Sequence, residues 1–133
     1  MSKYAYPAIL TPETDGGYCV RFPDIDGCFT EGDNLAEALE MAKDALGLML
    51  CAYEDDGDAI PAPTSVADLA PRADEIVSLV SADTIEYRKM YNNKAVKKTL
   101  TVPAWLNSIA ERNDVNFSYI LQKALKEELH ISE

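Results

Sequence analysis

Lys97, Thr99 and Thr101 stand two residues apart in the stretch from Lys94 to Val102, where polar and apolar residues alternate. A strand has a side-chain period of two, so these three share one face while Val96, Leu100 and Val102 share the other. Lysine donates to guanine O6 or N7, and threonine offers a hydroxyl for hydrogen bonding and a methyl that fits the thymine methyl. Two such strands side by side present a polar ribbon of the width of the DNA major groove. Lys94 and Lys98 add contacts to the phosphate backbone, which make binding salt-dependent. Other chemistry has weaker support. Cys19, Cys28 and Cys51 are odd in number, widely spaced and set in apolar sequence, which predicts small buried thiols in a reducing compartment. The single histidine, His130, lies near the carboxyl end, and with no Cys-x-x-Cys pair the chain offers no zinc set; no metal or other cofactor is expected. No serine or cysteine has an evident base, and Gly16-Gly17 lacks the following helix a phosphate loop needs.

The elements that must hold the ribbon are short. Pro103 suits a first helical position, and Trp105, Leu106 and Ile109 form the stripe of the helix it opens. Asn116 is an N-cap for a second helix, with Phe117, Ile120, Leu121 and Leu125 as its stripe. One strand and two helices of about ten residues cannot bury a core alone, so the segment is expected to pair with a second copy. The dimer core then consists of Val96, Leu100, Val102, Trp105, Leu106, Ile109, Ile120, Leu121 and Leu125.

The front of the chain differs in charge and pattern. Of 133 residues, 47% are hydrophobic and 26% charged, the composition of a folded domain. Residues 1 to 93 carry 6 Lys+Arg against 18 Asp+Glu, a net of −12, whereas residues 94 to 133 carry 6 against 5, a net of +1. An acidic front repels phosphate backbones and attracts basic proteins. Tyr4 to Leu10, Tyr18 to Phe22 and Cys28 to Glu31 read as strands joined by Gly- and Pro-containing turns, a three-stranded antiparallel meander. Asn34 and Glu37 form a capping pair that opens a helix of about five turns through Leu35, Ala38, Leu39, Ala42, Leu46 and Leu50 to a stop at Gly57. Ser65 with Asp68 predicts one further turn, Glu75 to Ser81 a strand inside or beside the sheet, and Asp83 to Asn93 a connector of near-helical spacing that docks on a partner. No apolar run approaches the length of a membrane span, and Met1 to Leu10 lacks a signal-peptide core, so the expected location is the cytoplasm.

Two resemblances rest on these residues. Lys97 to Leu125 resembles a ribbon-helix-helix domain. Phe22-Pro23-Asp24-Ile25-Asp26-Gly27-Cys28-Phe29-Thr30-Glu31-Gly32-Asp33, with Ala36 to Leu39 and Ala42 to Leu46, is similar to the HicB antitoxin family. The resemblance implies an α+β protein: a partial ribonuclease-H-like, toxin-binding domain over residues 1–82, a connector over 83–93, and a ribbon-helix-helix domain over 94–133. It implies neutralisation of a small basic HicA-like toxin that cleaves messenger RNA, and autorepression of the operon through operator DNA. It implies a homodimer through the back domain, with a tetramer as a further assembly. It places Lys97, Thr99 and Thr101 in the groove and a phosphate clamp at Asn116, Phe117 and Ser118. Many ribbons carry longer side chains there, so the two threonines leave much of the affinity to phosphate contacts. The resemblance assigns no toxin-contacting residue. The alternative is a stand-alone HicB-like regulator or interaction protein without a toxin. Ribonuclease H chemistry needs carboxylates converging on two magnesium ions. Here Asp24, Asp26, Glu31, Asp33 and Glu37 lie mainly in turns and at the helix start, as turn formers and caps do, and no enzyme is expected.

Overall fold

The strand nearest the amino end, β1 (Lys3–Pro12), is long because apolar residues fill both of its faces at the centre: Tyr6, Ala8 and Leu10 on one, Pro7 and Ile9 on the other, all buried. In the computed structural model, which describes residues 3–132, β2 (Tyr18–Arg21) and β3 (Phe29–Gly32) complete the expected meander. A fourth strand, β4 (Ile76–Asp83), lies antiparallel along the other side of β1, giving the order β3-β2-β1-β4. Pro7 is tolerated in this central strand because β1 pairs with β2 only from Ile9 to Pro12. At Pro7 the strand has β4 alone beside it, and the missing N–H interrupts no second ladder.

Helix α1 (Leu35–Asp56) covers one face of the sheet. Asn34 Oδ1 accepts the Glu37 amide at 2.9 Å, and Gly57 ends the helix at φ 71°, a left-handed conformation that costs glycine least. Ala38, Ala42, Leu46 and Leu50, four residues apart, bury fully against Tyr6, Leu10, Val20 and Val80. The two alanines let the helix approach closely at its start. Gly32 is required there, since a Cβ on it would stand 2.4 Å from the Ala38 amide nitrogen. Val66–Asp68 forms a single 3₁₀ turn, and Ser65 makes no side-chain cap. Residues 83–93 carry helix α2 (Thr84–Tyr91), opened by Asp83, whose Oδ1 accepts the Ile85 and Glu86 amides. Helix α2 packs on α1 of the same chain.

The chain divides after Lys94. The second unit contains α3 (Ala104–Arg112) and α4 (Phe117–Glu128), with Asn116 Oδ1 accepting the Tyr119 amide at 3.0 Å. Pro103 occupies the cap position of α3, one residue before the helical position expected of it. The expected strand over Lys94 to Val102 does not form in the single chain. A strand exists through hydrogen bonds to a neighbouring strand, and no such neighbour lies beside this segment. Cys28 and Cys51 are buried as expected, but Cys19 is exposed. Its place in β2 opposite Glu31 puts it on the outward face, and strand phase outweighs residue type.

Candidate functional site

Among its described residues, the second unit contains apolar side chains but none that is buried. None of the residues of α3 or α4 is buried. Val96 is 86% exposed, Trp105 66% and Leu100 56%, and Val102, Leu106, Ile109, Phe117, Ile120 and Leu125 are also exposed; Leu121 is half-buried. Lys94, Lys97, Lys98, Thr99, Thr101, Asn116 and Ser118 are exposed too. The first intrahelical hydrogen bond of α4 runs from the Ile120 amide to the Asn116 carbonyl, so the amides at Phe117 and Ser118 have no acceptor within the helix. An apolar surface of this extent on so small a unit marks an interaction face. Apart from Lys94, the last residue of the first unit, the expected groove and core residues thus lie on the second unit, and all but Leu121 are exposed.

The first unit offers two other surfaces. Between α1 and α2 lies a groove of about 610 Å³ lined by Glu40, Lys43, Asp44, Gly47, Ala82, Asp83, Glu86, Tyr87, Met90 and Tyr91. Tyr87 packs on bare Gly47, where a Cβ would meet its ring at 2.6 Å. Its ring centroid lies 4.6 Å from that of Tyr91, and the Tyr91 hydroxyl donates to Asp44 Oδ1 at 2.9 Å. The docking of α2 is fixed by a polar knot at Glu54: Tyr4 and Thr84 donate to Oε2 at 2.9 and 3.0 Å, and Arg88 to Oε1 at 3.1 Å. Burial alone would raise the Glu54 carboxyl, but these hydrogen bonds outweigh it and hold the group below its ordinary range. Sequence periodicity missed this groove because its floor depends on a glycine in one helix meeting a tyrosine in another.

The outward face of the sheet carries the second surface. Glu75, whose side chain is 1% exposed, accepts from Arg21 and Thr11 at 2.9 and 2.8 Å and from the Arg72 amide at 2.8 Å. The Arg21 guanidinium first, and then the Arg72 amide and Thr11 hydroxyl, hold its carboxyl well below the usual carboxylate range. Its place at the first position of the expected strand was its only signal in the sequence. The carboxylates considered for metal chemistry do not converge: among the described residues, no three of Asp24, Asp26, Glu31, Asp33 and Glu37 come within ligand reach of one another. Asp24 is engaged by the Thr64 amide and hydroxyl. Glu13, Cys19 and Glu31 do approach one another, all exposed. The Cys19 thiol donates to Glu13, and this hydrogen bond raises its pKa, making it a poor nucleophile. Burial pushes the Cys28 thiol up to about 11. No helix among the described residues is long and apolar enough to cross a membrane.

Comparison with known proteins bears on both units. The Escherichia coli K12 antitoxin HicB is 48% identical over 59 residues, which are 44% of this chain; the chain spans 43% of that relative's length. A chain of a toxin-antitoxin complex from Streptococcus pneumoniae superposes with a TM-score of 0.61 at 26% identity, covering 95% of this chain and 99% of the other. The Burkholderia pseudomallei antitoxin HicB, at 18% identity and TM-score 0.54, shares the fold over 95% of this chain and 98% of its own. The mixed fold of an antiparallel sheet with helices is therefore that of known HicB structures. The model of the HicB-like antitoxins of bacterial toxin-antitoxin systems matches residues 6 to 125, across both units, and the chain belongs to that family.

Proposed function

We propose that this chain is an antitoxin whose two units play separate roles. The acidic first unit binds a small basic HicA-like ribonuclease and covers its active surface. The second unit is a ribbon-helix-helix half that dimerises and represses transcription of its own operon. One observation carries the role of the second unit. A segment of alternating polar and apolar residues, followed by two helices, leaves its whole apolar face exposed in the single chain. A second copy would pair residues 94–102 of each chain as an antiparallel ribbon and cover Val96, Leu100 and Val102 with the stripes of α3 and α4. That pairing turns Lys97, Thr99 and Thr101 outward on both strands, related by a two-fold axis that matches a palindromic operator. The amides at Phe117 and Ser118, with Asn116, then grip phosphates, and Lys94 and Lys98 add to them. The role of the first unit is supported by charge: a net of −12 over residues 1 to 93 suits a basic protein and not a nucleic acid.

Mobility-shift titration with DNA from upstream of the chain's own operon tests the DNA half. Native protein is expected to bind with steep salt dependence, and Lys97→Ala with Thr99→Ala together to weaken binding by at least about tenfold. Unaltered binding by the double variant would remove the ribbon from the mechanism. Co-expression with the protein of the adjacent reading frame tests the other half: growth is rescued by the native chain if the first unit masks a toxin.

A further inference from the structure

We propose that the groove between α1 and α2 is where the first unit receives its protein partner, and that the groove takes a Lys- or Arg-bearing segment of that basic protein. The inference rests on the antitoxin reading and adds a location to it. Its volume of about 610 Å³ falls within the range of roughly 300–1,000 Å³ in which pockets hold ligands. Four carboxylates, Glu40, Asp44, Asp83 and Glu86, line it against one lysine, Lys43. Asp83 is committed to capping α2 and Glu86 pairs with Lys89 at 3.2 Å. Glu40 has no hydrogen bond or ion pair among the described residues, and Asp44 accepts only the Tyr91 hydroxyl there. The apolar part is equally unspent: Met90 is 74% and Tyr91 61% exposed at the end of α2.

This combination suits a cation on an apolar stem. The stem lies along Met90 while the charge meets Glu40 and Asp44 beside the Tyr91 ring, where cation–π attraction adds to the ion pair. Methionine adapts its shape to a partner at little cost, and aromatic and arginine side chains dominate binding hot spots. Charge selects the occupant. A nucleic acid or an acidic peptide would meet the carboxylates and be repelled, and a purely apolar helix would leave Glu40 desolvated and unpaired. The knot at Glu54 holds α2 in place, so the groove exists before the partner arrives and little ordering is lost on binding.

The test measures affinity of the full-length chain for the purified small basic protein of the adjacent reading frame, by calorimetry at 0.15 M salt. Three variants are compared with the native chain: Glu40→Gln with Asp44→Asn, Met90→Ala, and a control with the same charge change outside the groove, Asp56→Asn with Asp58→Asn. All should keep the native far-ultraviolet dichroism and thermal midpoint, and Met90→Ala alters only an exposed side chain. The expected result is roughly tenfold weaker binding for the groove pair, a several-fold loss for Met90→Ala, and less than about twofold for the control. Equal affinities for the groove variants and the control, with the native chain binding, would overturn the groove and leave the antitoxin reading standing. No binding by the native chain would overturn both.

Discussion

The two units use the same kinds of residue to opposite ends. In the first, Ala38, Ala42, Leu46 and Leu50 on α1 repeat every four residues and vanish beneath a sheet. In the second, Leu106 and Ile109 on α3, and Phe117 and Ile120 on α4, stand at helical spacing just as well, yet all four are exposed. Amphipathic periodicity states that a face needs covering, and the amount of chain available decides what can cover it. The first unit has four strands to set against α1, with α2 packed beside it. The second has two short helices and a segment with no strand beside it, which is why we propose that a second copy covers it.

The sharpest way to separate the units is to damage each in turn. Leu100→Asp places a charge in the proposed dimer seam of both copies. It should cost on the order of 5 kcal/mol of dimer stability, leaving a monomer by sedimentation and abolishing DNA binding while the unfolding of the first unit is unchanged. A first unit that unfolded along with the second would break the distinction. Leu46→Ala does the reverse. It removes a fully buried side chain from the first core and should cost about 3 kcal/mol in urea unfolding, with a midpoint independent of protein concentration. Asn116→Ala removes the cap of α4 and should cost about 1 kcal/mol, read as weaker dimerisation with no change in the first unit.

The smallest effect sharpens the electrostatics of the first unit. The folded carboxyl of Glu75 titrates below its unfolded value, so its contribution to stability is present above the ordinary carboxylate range and is lost as the pH falls through the folded value. Native protein should therefore be more stable than Glu75→Gln at neutral pH, and the difference should shrink on acidification below about pH 4.5. Urea midpoints measured from pH 7 downward check the sign.

Much of this was legible in the sequence where the signal is local. The Asn34 cap, the spacing of α1 and the stop at Gly57 are each written in neighbouring residues, and so is the cap at Asn116. Contacts between distant segments were harder. Glu75 to Ser81 reads as a strand, but the antiparallel match of Ile76–Asp83 to Lys3–Leu10 follows from partners some 70 residues away. The near-helical spacing of residues 83–93 does not reveal that Tyr87 would find a helix bare at Gly47, and so the groove went unseen. At Cys19 the alternation with Tyr18 and Val20 was the better guide, and the thiol's usual preference for burial misled. The ribbon is a different case. Its pattern is plain from Lys94 to Val102, but no strand forms there in the single chain, and the ribbon we propose needs a second copy.

Trp105 is the chain's single tryptophan and belongs to the second unit, where it stands 66% exposed. Its fluorescence therefore reports the second unit alone, and a dilution series of the intact native protein tests directly whether a second copy completes that unit. The account predicts blue-shifted, quencher-protected emission at high concentration that moves to the red on dilution, with a midpoint equal to the dimer dissociation constant from sedimentation. Emission of a solvent-exposed indole, unchanged across all concentrations at which the protein binds DNA, would contradict it.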